Sequence, residues 1–160
     1  MDDRSQALAA VERQTAVLAR HFELLHRRFM VHAQLDRAEY LLLRILDETG
    51  PADINTLAAS LGLNPSTAGR QISALQVSGL VERVLDTDDR RRCVVRATES
   101  GARRMREVQR VRTDGTAELL SEWSDEDVHA VAELFGKYNT SVADRYLTGC
   151  ALQPEAAAEA

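Results

Sequence analysis

The chain is poor in cysteine, proline and aromatic residues: its 160 residues include two cysteines, three prolines and 4% aromatics. Cys93 and Cys150 lie far apart in unlike sequence contexts, so we expect neither a structural disulfide nor a cysteine metal site. No apolar run approaches the roughly 18 residues of a membrane span, and the N-terminal MDDRSQ lacks the basic-then-apolar order of a secretory signal. We therefore expect a cytoplasmic protein with no membrane partner. It should be mostly helical, because alanine, leucine, arginine and glutamate abound.

Catalytic and metal-binding motifs are also missing from the sequence. It contains no nucleophile elbow, P-loop, HExxH motif or dinucleotide-binding fingerprint. Its histidines offer no ligand-spaced pair on one helix face, because His21 and His26 are five residues apart and His26 and His32 are six. We predict that the protein is not an enzyme, has no catalytic residues and binds no metal or cofactor.

The charge of the chain is unevenly distributed. The formal net charge of −5 does not by itself favour nucleic acid as a partner. From Arg70 to Arg112, however, there are eleven arginines and only six acidic residues. Because DNA responds to the local field rather than to the total charge, the positive charge of this segment favours nucleic acid as a partner. The sequence predicts one basic face on an acidic body.

The N-terminal segment predicts a long helix. Apolar residues recur at alternating spacings of three and four residues, and one position of this pattern is a threonine. The positions are Leu8, Val11, Thr15, Leu18, Phe22, Leu25 and Phe29. Such a seam packs either on the chain's own core or on a partner helix. A second helix is expected to begin at a capping box of Asp36 and Glu39 and to end before Gly50.

The segment NTLAASLGLNPSTAGRQISAL predicts two short helices joined by a tight turn. Asn55 is expected to cap the first helix, and Gly62 to turn the chain. Asn64 and Pro65 then supply the N-cap and the first position of a helix that runs to about Ser78. This arrangement is typical of a helix-turn-helix that docks on duplex DNA.

The next stretch, LVERVLDTDDRRRCVVRAT, predicts a β-hairpin with strands at residues 80–85 and 93–97. Its tip concentrates three aspartates and three arginines, as expected of a wing that contacts a phosphate backbone. Thr98 should cap a long helix extending to about Trp123, and Ser124 should open the last helix. The final QPEAAAEA has nothing to bury, so we expect it to be disordered.

These patterns predict a mainly α protein with a small β-wing, in which a winged helix-turn-helix is embedded between long dimerisation helices. The expected parts are an N-terminal dimerisation helix, the DNA-binding domain, the C-terminal dimerisation helices and a disordered tail, at residues 5–33, 34–99, 100–149 and 150–160. The expected dimer surface is Leu8, Val11, Leu120, Trp123, Val131, Leu134 and Phe135, which a monomer would leave exposed.

The sequence resembles the MarR family of bacterial regulators. The wing signature of that family, an Asp, one residue, an Arg, six residues and a Thr, is matched by Asp89, Arg91 and Thr98. The similarity continues through GLNPSTAGRQISALQVSGLVER and, in helix order and length, covers nearly all of the chain except the tail. The resemblance implies a homodimeric winged helix-turn-helix protein. Most members are repressors that release operator DNA when a small aromatic ligand, an oxidant or a metal acts on them.

The predicted DNA contacts come from the second short helix and from the wing. They are Ser66, Thr67, Gly69, Arg70, Ser73, Asp89, Arg90, Arg91 and Arg92. Arg70 has the fork that binds guanine O6 and N7 together, and Ser66 and Thr67 can bond a phosphate or a base edge. Gly69 stands where relatives often carry a hydroxyl residue, which removes one donor.

At the wing tip, Arg91 is expected to enter the minor groove. Arg90 and Arg92 should lie beside it on phosphates, and Asp89 should hold the tip by pairing with a neighbouring guanidinium. The two recognition helices of a dimer would then enter successive major grooves of a near-palindromic site, roughly 10 bp apart.

A small-molecule site follows from the resemblance, which places ligands in a cleft between the dimerisation helices and the DNA-binding lobe. The residues expected there are His26, Phe29, Met30, Tyr40 and Arg44, with His26 and Arg44 suited to an anionic aromatic effector. Core packing is the alternative for the apolar members.

Two other functions stay open at this point. Cys93 could sense oxidants beside the wing, although a small buried strand residue is the simpler interpretation. A winged helix can also serve as a protein-interaction module, against which the basic tip argues.

Overall fold

A computed structural model describes residues 2–30, 35–86, 89 and 91–147, apart from the side chains of residues 26 and 28–30. The described chain contains six helices and two strands. In chain order they are α1 (Asp3–Met30), α2 (Arg37–Thr49), α3 (Ile54–Ser60), α4 (Pro65–Val77), β1 (Val81–Leu85), β2 (Cys93–Ala97), α5 (Glu99–Leu119) and α6 (Asp125–Tyr146). Residues Met1–Gln34 and Leu35–Ala160 form two separate compact units.

The first unit consists of α1, which confirms the predicted N-terminal helix. Most of its described side chains are exposed. The exceptions are Thr15, Leu18 and Leu25, which are half-buried and all belong to the predicted seam. Other seam residues, such as Leu8 and Phe22, are exposed.

In the second unit, α2 begins and ends where its sequence predicts. Asp36 accepts the backbone N–H of Glu39 at 2.8 Å, and the Glu39 carboxylate accepts the N–H of Asp36 at 2.8 Å. This reciprocal capping box satisfies two donors that the first turn of a helix would leave unpaired. At the other end, Gly50 has a φ of +79°, so the chain leaves the helix sharply.

The helix-turn-helix is formed by α3 and α4. The cap of α3 is Asp53 and not the predicted Asn55: Asp53 accepts the N–H of Thr56 at 2.9 Å, while Asn55 lies inside the helix. Gly62 makes the turn at a φ of +64°, where a side chain would be strained. Asn64 caps α4 and Pro65 takes its first position, as predicted.

The wing is an antiparallel hairpin of β1 and β2, in which Val81 pairs with Ala97 and Leu85 with Cys93. The two strands have the predicted bounds except that β1 begins at Val81, one residue later than predicted. Ala52 adds an isolated bridge to Val95, which joins the segment before α3 to the wing strand.

Two long helices complete the unit. Thr98 caps α5 by accepting the N–H of Gly101 at 3.0 Å, and its hydroxyl donates to the Gly79 carbonyl at 2.7 Å. The prediction that α5 reaches Trp123 is wrong, because the helix ends at Leu119. A turn at residues 120–122 follows it, and Ser124 then caps α6 by accepting the N–H of Asp127 at 3.1 Å.

The core of this unit lies where α2, α4, the hairpin and α5 meet. Its most deeply buried apolar residues include Leu42, Leu43, Ile45, Leu57, Ile72, Leu75, Val95 and Met105. Helix α4 contributes Ala68, Ile72 and Leu75 to this core, whereas its Ser73 faces solvent. In the described part of the chain, no helix is long and apolar enough to cross a membrane.

Candidate nucleic-acid interface

Helix α4 presents a polar face opposite its buried side. Ala68, Ile72 and Leu75 are fully buried against the core. The predicted contacts Ser66, Arg70 and Ser73 are exposed, whereas Thr67 and Gly69 are half-buried. Because three buried residues fix one side of the helix, the orientation of the polar side follows from the helical repeat. Ser66, Arg70 and Ser73 therefore share the solvent-facing side of α4, and Thr67 and Gly69 lie on its two flanks.

Local hydrogen bonds hold the first turn of α4. The Asn64 carboxamide oxygen accepts the N–H of Thr67 at 2.8 Å and the hydroxyl of Ser66 at 2.7 Å. The Arg70 guanidinium lies 3.4 Å from the Thr67 hydroxyl oxygen. This contact is long for a hydrogen bond, so the fork of Arg70 keeps most of its donors available.

A contact that the sequence analysis missed joins α4 to the wing. Arg83, on β1, donates to the Ser73 hydroxyl oxygen at 3.3 Å, and that hydroxyl donates to the Gly69 carbonyl at 2.8 Å. Arg83 is exposed and lies beside the polar face of α4. The sequence could have indicated this contact, because Arg83 lies two residues after the buried Val81 in β1. The two side chains therefore share one face of the strand.

The wing tip is held by its own backbone. The Asp89 carboxylate accepts the N–H of Arg91 at 3.0 Å, and the Asp89 carbonyl accepts the N–H of Arg92 at 2.9 Å. These bonds form a tight turn at the tip. The side chain of Arg91 is exposed and has no ion-pair partner among the described residues. Arg90 lies outside the residues that the structure describes.

Arg92 has a different environment from Arg91. Its guanidinium donates to the Asp53 carboxylate at 2.6 Å and lies 3.9 Å from Asp86. Asp53 is the N-cap of α3, so the ion pair connects the wing to the start of the helix-turn-helix. The hydrogen bond that Arg92 donates to Asp53, followed by the charges of the neighbouring aspartates, raises the pKa of Arg92. The pKa of Asp53 is lowered, chiefly by the backbone N–H of Thr56; burial opposes this, and the hydrogen bond and charge of Arg92 lower it further.

Cys93 differs from its predicted environment. The interpretation as a buried strand residue is wrong, because Cys93 is a free, exposed cysteine. It begins β2 opposite Leu85, at the end of the hairpin nearest the tip, whereas Val94 and Val95 are buried. Burial of β2 begins at Val94, so Cys93, one residue nearer the tip, is left in solvent.

A cavity of about 710 Å³ opens between α2 and α5. It is lined by Tyr40, Leu41, Arg44, Glu48, Gln109, Arg112, Thr113, Thr116, Ala117, Leu120 and Val128. Two predicted effector residues, Tyr40 and Arg44, are among them. The side chains of the other three, His26, Phe29 and Met30, lie outside the described residues.

The charges of this cavity are partly paired. Arg44 forms an ion pair with Glu48 one turn later on α2. The Arg112 guanidinium lies over the Tyr40 ring, 4.8 Å from its centroid, a distance typical of a cation–π contact. Arg112 was not among the residues predicted for this site, although Gln109, Arg112 and Thr116 recur at the spacing of one helix face.

Metal ligation has no support in the described part of the chain. No group of three or more histidine, cysteine, aspartate and glutamate side chains there could hold a metal ion.

Comparisons with known proteins agree with this geometry. A model of the MarR family matches residues 35–93. YxaD of Bacillus subtilis, described as an uncharacterized HTH-type transcriptional regulator, is 36% identical over 110 residues. The aligned region covers 69% of this chain and 77% of YxaD.

Solved structures show the same fold. A MarR family protein from Bacillus stearothermophilus matches with a TM-score of 0.76 at 23% identity, over 89% of this chain and 99% of that chain. The PcaV transcriptional regulator from Streptomyces coelicolor, in complex with its natural ligand, matches with a TM-score of 0.61 at 23% identity, over 78% and 91%. The predicted fold class, mainly α with a small β-wing, is confirmed.

Proposed function

The chain belongs to the MarR family of transcriptional regulators, and from that premise we propose that it is a homodimeric repressor of a near-palindromic operator. Its partner is double-stranded DNA, and its proposed activity is binding rather than catalysis. The proposed contacts are the nine residues predicted on α4 and the wing tip, together with Arg83.

The observation that carries the proposal is that α4 and the wing tip each present an exposed arginine without an ion-pair partner among the described residues. Arg70 and Arg91 are both exposed, and neither has an ion-pair partner among the residues described. In a winged helix-turn-helix, the recognition helix enters the major groove. A hairpin tip beside it reaches the neighbouring minor groove or the phosphates. Arg70 is therefore proposed to read a base edge, and Arg91 to bind the minor groove.

Exposed apolar residues on the terminal helices support dimerisation. On α6, Leu134 is 64% exposed and Phe135 is 43% exposed. Trp123 precedes that helix and is 49% exposed, and Leu8 and Val11 on α1 are also exposed. Large exposed apolar patches usually mark an interaction surface. We propose that residues 5–33 and 100–149 form the dimer, leaving residues 34–99 to contact DNA.

A small aromatic effector is proposed to occupy the cavity between α2 and α5. Its volume falls in the usual range for small-molecule sites, roughly 300–1,000 Å³. Its lining combines apolar side chains with Arg44 and Arg112, which suits an aromatic ring that carries an acidic group. Effector binding would release DNA if the cavity accepts the ligand better in the conformation that does not bind DNA.

One alternative rests on a specific observation. The exposure of Cys93 makes its thiol accessible, so oxidation beside the wing is a second candidate input to DNA binding. A protein-interaction module has no specific observation in its favour, and the exposed arginines of the wing favour a polyanion instead.

The Arg91→Ala substitution tests the proposal. It removes one DNA contact per protomer, and we expect it to weaken binding to all sequences by about tenfold. Fluorescence anisotropy at several salt concentrations should also show a shallower salt dependence, because fewer counterions are released. Arg110→Ala is the matched control, since Arg110 is an exposed arginine of α5 that pairs with Asp114. Unchanged affinity of the Arg91 variant would contradict its assignment.

A further inference from the structure

Two glycines in the interior of helices have opposite packing environments. A Cβ on Gly101 of α5 would lie 2.0 Å from the carbonyl oxygen of Leu80, so the fold itself requires a glycine there. A Cβ on Gly69 of α4 would meet no atom within 4 Å. The φ of Gly69 is not positive either. Nothing in the fold of the chain therefore requires a glycine at position 69.

Glycine is nevertheless unfavourable at this position. Among the common residues only proline is a poorer helix former, because glycine loses more backbone freedom when a helix forms. Gly69 is the fifth of the thirteen residues of α4, well inside the helix. Alanine would fit and would favour the helix. The fold of the chain therefore gives no reason for the absence of a side chain at position 69.

The surroundings of Gly69 indicate what approaches it. Gly69 precedes Arg70 and lies on the same side of α4 as Ser66 and Ser73, at helical spacings of three and four residues. The guanidinium of Arg83 reaches Ser73 from the wing. The open space over Gly69 is thus bordered by the polar groups that are proposed to contact DNA.

The surface that Gly69 exposes is apolar. Its carbonyl already accepts the Ser73 hydroxyl at 2.8 Å. It has no side-chain donor or acceptor, so only its Cα and a space about the size of a methyl group face the solvent. Among the base edges of the major groove, the thymine C5-methyl is the apolar group.

We propose that Gly69 is a specificity-determining residue, which receives the C5-methyl of one thymine in each half-site. This inference rests on the proposed function, because it assumes that α4 enters the major groove. It predicts a preference for thymine that no hydrogen bond explains. It also predicts that a side chain at position 69 holds the helix away from that base.

The test begins with the site that the wild-type protein selects from random duplexes. Each thymine of this site is replaced in turn by deoxyuridine, which lacks only the methyl group. At one position in each half-site, we expect wild-type affinity to fall about threefold to tenfold. Gly69→Ala should bind the original site at least about tenfold more weakly, and should not distinguish thymine from deoxyuridine at that position.

Thermal unfolding separates this result from a damaged fold. Gly69→Ala should raise the Tm by about 2–4 °C, because alanine favours the helix and meets no obstacle. Gly101→Ala, the same substitution at the closely packed glycine, should lower the Tm. A Gly69 variant that is more stable but binds DNA more weakly has lost a contact and not its structure.

Four results would overturn the inference. The wild type could bind every deoxyuridine duplex as tightly as the original site. Gly69→Ala could bind with unchanged affinity and sequence preference, or could lose affinity equally for all sequences, which would indicate a backbone contact. If the wild type selects no sequence at all, the proposed function fails and this inference fails with it.

Discussion

Neighbouring arginines of the wing tip have different environments. Arg92 is bound to Asp53 and Asp86, whereas Arg91 has no ion-pair partner among the residues the structure describes. An arginine that is already paired must break its bonds before it can bind a phosphate, and an unpaired one need not. We therefore propose that Arg91 is the main DNA contact of the wing. Arg92 serves first to position the wing against α3.

The ion pair between Asp53 and Arg92 makes a prediction about pH. Because the pKa of Asp53 is lowered in the folded protein, its ionised form stabilises the fold at a pH above the ordinary value of 3.8. That contribution is lost as the pH falls below 3.8 through the lowered pKa. Asp53→Asn keeps a side chain that can cap α3 but removes the charge.

We expect Asp53→Asn to lower the Tm by about 2–4 °C at neutral pH. In thermal unfolding between about pH 7 and pH 3, the difference from wild type should shrink once the pH passes below about 4. Asp47→Asn is a control for loss of a carboxylate, since Asp47 caps no helix and lies 3.8 Å from Arg106. Equal stability of wild type and Asp53→Asn at neutral pH would contradict the role of this ion pair.

Single residues were predictable from the sequence where their partners are local. Asn64 and Thr98 were predicted as caps because their capping bonds reach only three residues along the chain. The capping bond of Asp53 to Thr56 is equally local, but Asn55, two residues later, is also a favoured cap residue, and the sequence does not separate the two. The ion pair of Asp53 with Arg92, 39 residues away, could not be predicted from local sequence. The exposure of Cys93 was missed for a related reason, since it depends on how far the hairpin extends beyond the core.

At the scale of elements, capping residues and periodicity predicted the order of helices and strands. The limits of α2 and α4 and the strand β2 were correct because each is marked by local signals. The end of α5 was placed too late, since apolar residues continue past Leu119 into the turn before α6. The cavity between α2 and α5 depends on the packing of two helices, which the sequence could not give in detail.

The cavity supplies the prediction at this scale. A panel of benzoates, hydroxybenzoates and phenols should include compounds that raise the Tm and weaken DNA binding by about 5-fold to 150-fold. Arg112→Ala should reduce this response, because Arg112 lines the cavity. Arg110→Ala, on the same helix but outside the cavity lining, is the control. A panel that changes neither the Tm nor DNA affinity would contradict an aromatic effector in this cavity.

The molecule as a whole leaves large apolar side chains exposed on its terminal helices. Leu119, Leu134, Tyr138 and Tyr146 are each at least 48% exposed. The charged residues of α6 do not cover them. We propose that a second copy of the chain buries this surface, because a two-fold related operator requires two recognition helices.

Leu134→Glu tests the dimer. The wild type should have twice the mass of the chain in light scattering, and the variant should shift toward a monomer because a buried charge opposes association. Leu85→Glu is a matched control: Leu85 is 63% exposed and Leu134 is 64% exposed, but Leu85 lies in the wing. A monomeric wild type, or equal masses for wild type and both variants, would contradict the proposed interface.

The most direct test of the central claim is selection from random DNA duplexes, with wild type and Arg91→Ala in parallel at two salt concentrations. We predict enrichment of a two-fold related site, with half-sites about one helical turn apart. Binding to that site should weaken with added salt and with loss of Arg91. Equal, weak retention of all sequences by both proteins would contradict a sequence-specific DNA-binding regulator.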